Sequence, residues 1–146
     1  GLSWETILRK RDGYRRVFLD FDPQRVARLR APAIERILRD PGIVRNRAKV
    51  ESTLGNARAF LRVARTHGTF ARFAWEFVGG RPIVNSRRSS AQIPATSEQS
   101  EAMSRALRAL GFRFVGPTIC YAFMQAVGMV NDHLTSCWRY RPLADR

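Results

Sequence analysis

Two residues with the spacing of metal ligands lie near the end of the chain. His133 and Cys137 are four positions apart, so on a helix their side chains would lie on one face. Imidazole nitrogen and thiolate sulfur are common ligands of tetrahedral structural zinc. A buried histidine and a core cysteine would satisfy the same pattern without any metal. The spacing alone therefore leaves both alternatives open.

A glycine-bounded turn between two predicted helices is a second candidate site. A capping-box sequence at 96–99 (TSEQ) predicts the start of the first helix. Pro117 suits the first turn of the second helix, which ends at Gly128. The pattern therefore predicts a helix-hairpin-helix over about residues 97–128.

This turn has the chemistry of an anion site. Backbone amides at the start of a helix attract anions, and Gly116 permits close approach of a phosphate. Arg108 and Arg113 add positive charge. We assign DNA contacts to Arg113, Val115, Gly116 and Thr118. An ordinary helix pair with a tight turn is the alternative.

The charge of the chain favours a polyanionic partner. The net charge is +14, from 26 basic and 12 acidic residues, which favours nucleic acid over an acidic membrane surface. Because all but two of the basic residues are arginine, a general compositional bias is the alternative. The sequence contains no apolar run of membrane-spanning length and no signal-peptide pattern. Two cysteines do not make a disulfide framework, so we expect a reducing cytoplasm.

Hydrophobic periodicity predicts an all-α chain. With 146 residues, 45% of them hydrophobic, the chain can bury one core, so we expect a single helical domain over 1–146. Residues 80–96 are rich in proline and hydroxyl residues and predict an ordered loop without regular structure. Helices are predicted, apart from the hairpin, at 4–18, from 22 to 29, from Pro32 onward, at 45–66 and at 70–78.

Several motifs resemble the DNA-3-methyladenine glycosylase I family of helix-hairpin-helix glycosylases. They run in register along nearly the whole chain: GLSW at 1–4, FDP at 21–23, GIVRNR at 42–47, NARA at 56–59, GFRFVGPTICY at 111–121 and VNDH at 130–133. The resemblance implies a monomeric, monofunctional enzyme of base-excision repair. Its substrate would be double-stranded alkylated DNA, from which it would hydrolyse the N-glycosidic bond of 3-methyladenine.

The resemblance also implies roles for individual residues. Trp4 matches the tryptophan on which the extruded base stacks, whereas periodicity alone would assign it to a core. Gly1 and Leu2 match the segment that fills the gap left by the flipped nucleotide. His133 and Cys137 match two ligands of a structural zinc ion.

The family also carries a segment before the position of Gly1. That segment supplies a cysteine and a histidine to the zinc site, and a tyrosine and a glutamate to the base. Since the sequence starts at Gly1 and not at methionine, we expect it to be a piece of a longer chain. This expectation leaves zinc binding and turnover by the piece itself open.

Asn131 occupies a position where many helix-hairpin-helix glycosylases carry a catalytic aspartate, in a V-D-x-H pattern. An amide cannot act as an anionic base, so we assign no catalytic residue here. A leaving group that is already cationic needs little acid-base help. Asn131 could instead cap a helix that carries His133. Lys10 and Lys49 lie on charged helix faces, and neither suits a Schiff-base nucleophile.

Two other functions remain open at this stage. One is a non-catalytic DNA-binding module that retains the hairpin. The other is a helical scaffold whose basic surface reflects arginine bias alone. Steeply salt-dependent DNA binding would exclude the scaffold, and base release would exclude the module.

Overall fold

The computed structural model describes residues 3–144, so the predicted wedge residues Gly1 and Leu2 lie outside the described residues. The described chain forms two compact units. Residues 3–62 and Gly111–Arg113 make the first, and Val63–Leu110 with residues 114–144 make the second. Both are mainly helical, which confirms the predicted all-α class. That they act as one domain stays a prediction.

The first unit is built from short helices around one apolar core. Phe18, Val26 and Ile37 are buried there together with Ile43, Val50 and Leu54. Asn46 begins the long helix by accepting a hydrogen bond from the amide of Lys49 at 3.0 Å. The helices are α1 (Trp4–Arg9), α2 (Arg11–Val17), α3 (Pro23–Ala27), α4 (Ala31–Arg39) and α5 (Arg47–His67), the last of which continues into the second unit.

The prediction of one helix over 4–18 is wrong, because the helix breaks at Lys10 into α1 and α2. The reason is a close backbone contact. A Cβ atom on Gly13 would lie 2.1 Å from the carbonyl oxygen of Gly42. Lys10 Nζ also donates to the carbonyl of Pro41 at 2.7 Å. The α1–α2 junction therefore packs against the 40–42 turn.

A short left-handed turn follows α2. Leu19, Asp20 and Phe21 all have φ between 55° and 58°, a region that side chains other than glycine rarely occupy. Phe21 stacks on the buried Phe18 with ring centroids 5.7 Å apart. Asp22 then caps α3 by accepting from two backbone amides. Ring packing and the cap together offset the backbone strain.

The second unit carries the hairpin and a small parallel strand pair. Its buried apolar side chains include Phe73, Met103, Leu107, Met124 and Met129. Its elements are α6 (Phe70–Trp75), β1 (Ile83–Val84), α7 (Glu98–Ala109), α8 (Pro117–Ala126), β2 (Val130–Asn131) and α9 (Tyr140–Ala144).

Two predictions for this unit need correction. Residues 80–96 are not without regular structure, because β1 pairs in parallel with β2 in the register Ile83–Val130. Two-residue strands carry too little periodicity to be recognised in sequence. The cap of α7 is Ser97 and not Thr96, and its partner is Ser100. Serine at the third helical position replaces the usual glutamate or glutamine, so the pattern shifts by one residue.

The Gly13–Gly42 contact yields a prediction. Gly13→Ala places a methyl group well inside the van der Waals contact distance of a backbone oxygen, so we expect it to lower the free energy of unfolding by about 1–3 kcal/mol or more. Gly55→Ala, on α5, is the matched control because, apart from its chain neighbours and the adjoining helix backbone, no described atom lies within 4 Å of the added methyl. We expect it to raise stability by about 0.5–1 kcal/mol. Urea unfolding measures both, and equal effects would contradict the account.

Candidate functional site

Trp4 is the first residue of α1 and is 87% exposed. Ser3 fixes the start of this helix, because its hydroxyl accepts from the amide of Thr6 at 3.2 Å. Leu8, one turn further on, is exposed as well. The two side chains share a helix face that is not part of the described core. An exposed apolar face of this kind is typical of a contact surface, so the core alternative for Trp4 is excluded within residues 3–144.

The hairpin turn has the features expected for an anion site. Gly116 precedes α8, whose first turn receives no side-chain cap from the described residues. The φ of Gly116 is −62°, so the backbone does not require glycine there. A Cβ on Gly116 would meet only Arg108 Nη2, at 3.8 Å. The space in front of this glycine is therefore open within the described chain, with a guanidinium beside it.

Both hairpin helices hold the end of the turn. The carbonyl of Val115 accepts from Ser104 Oγ at 2.7 Å and from Cys120 Sγ at 3.5 Å. Phe114, directly before it, is exposed and has a left-handed φ of 58°. Cys120 is buried, and this burial raises the pKa of its thiol. Thr118 is exposed on α8.

A buried carboxylate ties the hairpin to the strand pair. Asp132, directly after β2, is 7% exposed. Its Oδ2 accepts from Tyr121 Oη at 2.5 Å and from Gln125 Nε2 at 2.9 Å, both on α8. Its Oδ1 accepts from Asn85 Nδ2 at 2.9 Å and from Arg87 Nε at 3.2 Å, both in the segment after β1. Four donors thus surround one carboxylate, as a buried charge requires.

These contacts set the protonation states of the cluster. Burial raises the pKa of Asp132, but the hydrogen bonds from Tyr121, Gln125, Asn85 and Arg87 outweigh it, so the net shift is downward. Burial and the bond to Asp132 raise the pKa of Tyr121 to about 12. At neutral pH, Asp132 is therefore an anion and Tyr121 a neutral donor.

Asn131 does not cap a helix, so that prediction is wrong. It lies in β2, and its side chain bridges two backbone groups. Its Nδ2 donates to the carbonyl of Tyr140 at 3.1 Å, and its Oδ1 accepts from the amide of His133 at 3.2 Å. The amide therefore orders the segment that carries His133 and shows no sign of an acid-base role.

His133 and Cys137 lie together, although not on a helix as predicted. They flank a turn after β2, with Nδ1 and Sγ 3.6 Å apart. Tetrahedral zinc with ordinary Zn–N and Zn–S bonds places two such ligand atoms about 3.6 Å apart. The pair therefore fits two adjacent positions of a zinc site. No group of three or more candidate metal-binding side chains occurs in the described part of the chain.

Some of the residues that organise the site were missed in the sequence. Gln125 and Asn85 have no motif of their own, and Asp132 lies in the VNDH motif without a role assigned from the sequence. One usable signal was Gln125 itself, because it interrupts the apolar end of α8 between Met124 and Ala126. A polar side chain in such a position usually has a buried partner.

The Asp132 cluster predicts a pH dependence of stability. The pKa of the Asp132 carboxyl is lower in the folded chain than its ordinary value. The ionised carboxylate therefore stabilises the fold above about pH 4, and this contribution is lost as the pH falls through the pKa of the folded state. We expect Asp132→Asn to lower the free energy of unfolding by on the order of 3 kcal/mol at pH 7 and by progressively less below pH 4. Urea unfolding across this range measures the difference. Asp20→Asn, which removes an exposed carboxylate paired with Arg15, should have little effect. A pH-independent cost would contradict the assignment.

Comparison with known proteins identifies the family. The sequence model of the methyladenine glycosylase family matches residues 1–140. The chain is 46% identical to DNA-3-methyladenine glycosylase 1 of Escherichia coli over 140 residues, which are 96% of this chain and 75% of that protein. It is 44% identical to DNA-3-methyladenine glycosylase of Haemophilus influenzae over 137 residues, 94% of this chain and 74% of that protein.

Solved structures agree with the sequence comparison. A crystal structure of 3-methyladenine DNA glycosylase I superposes with a TM-score of 0.90 at 46% identity, covering 94% of this chain and 76% of the other. A structure of the Staphylococcus aureus enzyme, solved to describe its 3-methyladenine recognition, superposes with a TM-score of 0.92 at 33% identity. The match covers 96% of this chain and 74% of the other. Sequence motifs, helical fold and both comparisons thus agree: this chain belongs to the methyladenine glycosylase family.

Proposed function

We propose that this protein is a DNA glycosylase that hydrolyses the N-glycosidic bond of 3-methyladenine in double-stranded alkylated DNA, the first step of base-excision repair. One observation carries the proposal: relatives named for this activity share up to 46% identity over nearly the whole chain. The exposed Trp4 supports it, since the face that would receive a base is open.

Trp4 is the proposed base-binding residue. 3-Methyladenine is a flat cation while it is attached to the sugar, and an indole face attracts such a ring through stacking and its quadrupole. An undamaged adenine is neutral, so its attraction to the same indole face is weaker. Selection of the damaged base therefore follows from charge as well as shape, after the nucleotide has left the helix.

The hydrolysis needs little acid-base help from the protein. The bond between the sugar C1′ and the base nitrogen breaks, and the cationic base leaves as a neutral molecule with the bonding electrons. A water oxygen bonds to C1′ and its proton passes to solvent. Asp132 accepts four hydrogen bonds inside the second unit and Asn131 bridges backbone groups, so neither is a proposed general base. Preferential binding of the departing base would supply the rate.

The hairpin is the proposed DNA anchor. The amides at the start of α8, the open glycine at 116 and the guanidinium of Arg108 favour a phosphate, and the exposed Arg113 and Thr118 lie in the same sequence segment. Val115 contributes through its backbone. Such contacts position a duplex without reading its sequence, as a lesion-searching enzyme requires.

A structural zinc ion is a further part of the proposal. The 3.6 Å spacing of His133 and Cys137 suits two ligands, and the resemblance supplies the other two from a segment before Gly1. Bound zinc would cross-link that segment to the chain after β2. Asn131 would keep His133 in place through its backbone amide.

The cellular setting follows from the substrate. The proposed partner is alkylated duplex DNA, and we place the enzyme as a monomer in the cytoplasm, where a repair enzyme reaches the chromosome. Cys120 and Cys137 are both free thiols, as in proteins of a reducing compartment. None of the helices among residues 3–144 is long and apolar enough to cross a membrane.

The base-stacking role predicts a selective loss of activity. Trp4→Ala should lower the release of 3-methyladenine from methylated duplex DNA by roughly 5- to 150-fold, the value of about 1–3 kcal/mol of stacking. The assay uses the chain preceded by the segment that the resemblance implies. Trp138→Ala is the control, because Trp138 is also exposed, at 78%. Equal losses, or none for Trp4→Ala, would overturn the assignment, and no release by the parent would overturn the proposed activity.

The zinc site yields a test by metal analysis. In the same extended chain, we expect one zinc ion per protein and its loss in Cys137→Ser, because a hydroxyl is a much poorer zinc ligand than a thiolate. Cys120→Ser, which alters a buried thiol 17 positions earlier in the chain, should retain the metal. Absence of zinc from the parent, or its retention in Cys137→Ser, would refute the ligand assignment.

A further inference from the structure

Asn56 makes a two-point contact with the hairpin turn. It lies on α5, 57 positions before Arg113. Its Oδ1 accepts from the backbone amide of Arg113 at 2.9 Å, and its Nδ2 donates to the carbonyl of the same residue at 3.0 Å. One side-chain amide thus satisfies both backbone groups of one turn residue, in the pattern of a strand pair.

The turn needs such a contact because its own backbone is irregular. Gly111 has φ of 88° and Phe114 has φ of 58°, so left-handed residues stand on both sides of Arg113. No regular helix or strand in the described chain includes residues 111–116. Backbone groups in such a segment need partners from elsewhere, and Asn56 provides them for Arg113.

We propose that Asn56 is a positioning residue for DNA binding: it fixes the backbone of Arg113 so that the exposed guanidinium is presented to a DNA phosphate. This inference rests on the proposed function, in which Arg113 is a phosphate contact. In this role Asn56 acts through Arg113 and does not itself contact DNA. A two-point clamp restricts rotation of the turn peptide, so less conformational freedom is lost when the phosphate binds.

Asn56 is well placed for substitution. It borders an open cavity of about 320 Å³ in the first unit, which Phe21, Phe60 and Phe112 also line. Asn56→Leu removes both hydrogen bonds, and the larger apolar side chain has room there. Asn56→Asp retains an acceptor for the amide of Arg113 but places negative charge against its carbonyl. Asn46→Ala is the matched control, an asparagine that caps the same helix without touching the turn.

The experiment is a double-mutant cycle read through the salt dependence of duplex DNA binding. The slope of log affinity against log salt reports the number of neutralised phosphates, about 0.9 for each. We expect Arg113→Ala and Asn56→Leu each to make the slope shallower by about 0.9, with Asn56→Asp in the same direction. In the Arg113→Ala background, Asn56→Leu should change the slope no further. Asn46→Ala should leave it unchanged even where it lowers the melting temperature.

The outcomes separate this inference from the proposed function. An unchanged slope in Asn56→Leu, or the same additional change in the Arg113→Ala background, would overturn the positioning role. If Asn56→Leu does not fold, Asn56→Asp decides in the same way. An unchanged slope in Arg113→Ala would remove the phosphate contact and the clamp's role together. The proposed base release is tested separately, by the release of 3-methyladenine from methylated duplex DNA by the parent protein.

Discussion

The buried carboxylate of Asp132 is the interaction on which the second unit depends most. An ion with so little contact with water is tolerable only if hydrogen bonds replace its hydration, and Tyr121, Gln125, Asn85 and Arg87 provide them. Two of these donors come from the second hairpin helix and two from the segment after β1. The carboxylate therefore links α8 to the segment that follows β1. The neighbouring Asn131 fixes the backbone of His133 through a separate hydrogen bond.

The hydrogen bonds of Asp132 also distinguish residues that maintain the fold from residues that could contact a base. A carboxylate held by four donors, with its pKa lowered, is a poor proton acceptor, and the amide at position 131 is occupied by backbone groups. The side chains of Asn131 and Asp132 thus maintain the fold, whereas Trp4 on α1 is exposed. An enzyme whose leaving group carries its own positive charge can work with this division, because binding replaces proton transfer.

The sequence predicted helices and family more reliably than it predicted the local geometry of the site. Helical periodicity and capping located α5 and the hairpin, since these signals are local. The break at Lys10 lies beside the contact between Gly13 and Gly42, which are far apart in the chain, and the β1–β2 pair is too short for any periodic pattern. His133 and Cys137 are close together as expected, but on a turn. Residue spacing indicates which side chains can lie close together, but it does not determine which backbone conformation brings them there.

Comparison of a charged with a neutral lesion tests the central claim most directly. We propose that the protein removes 3-methyladenine by preferring a cationic base and that no side chain donates a proton to the leaving purine. Single-turnover base release would be measured on matched duplexes that carry 3-methyladenine or hypoxanthine, a neutral purine. The account predicts that hypoxanthine is released at least about a hundredfold more slowly than 3-methyladenine, relative to their spontaneous losses. A comparable rate enhancement for both bases would contradict this proposal, because a neutral leaving group needs a proton donor.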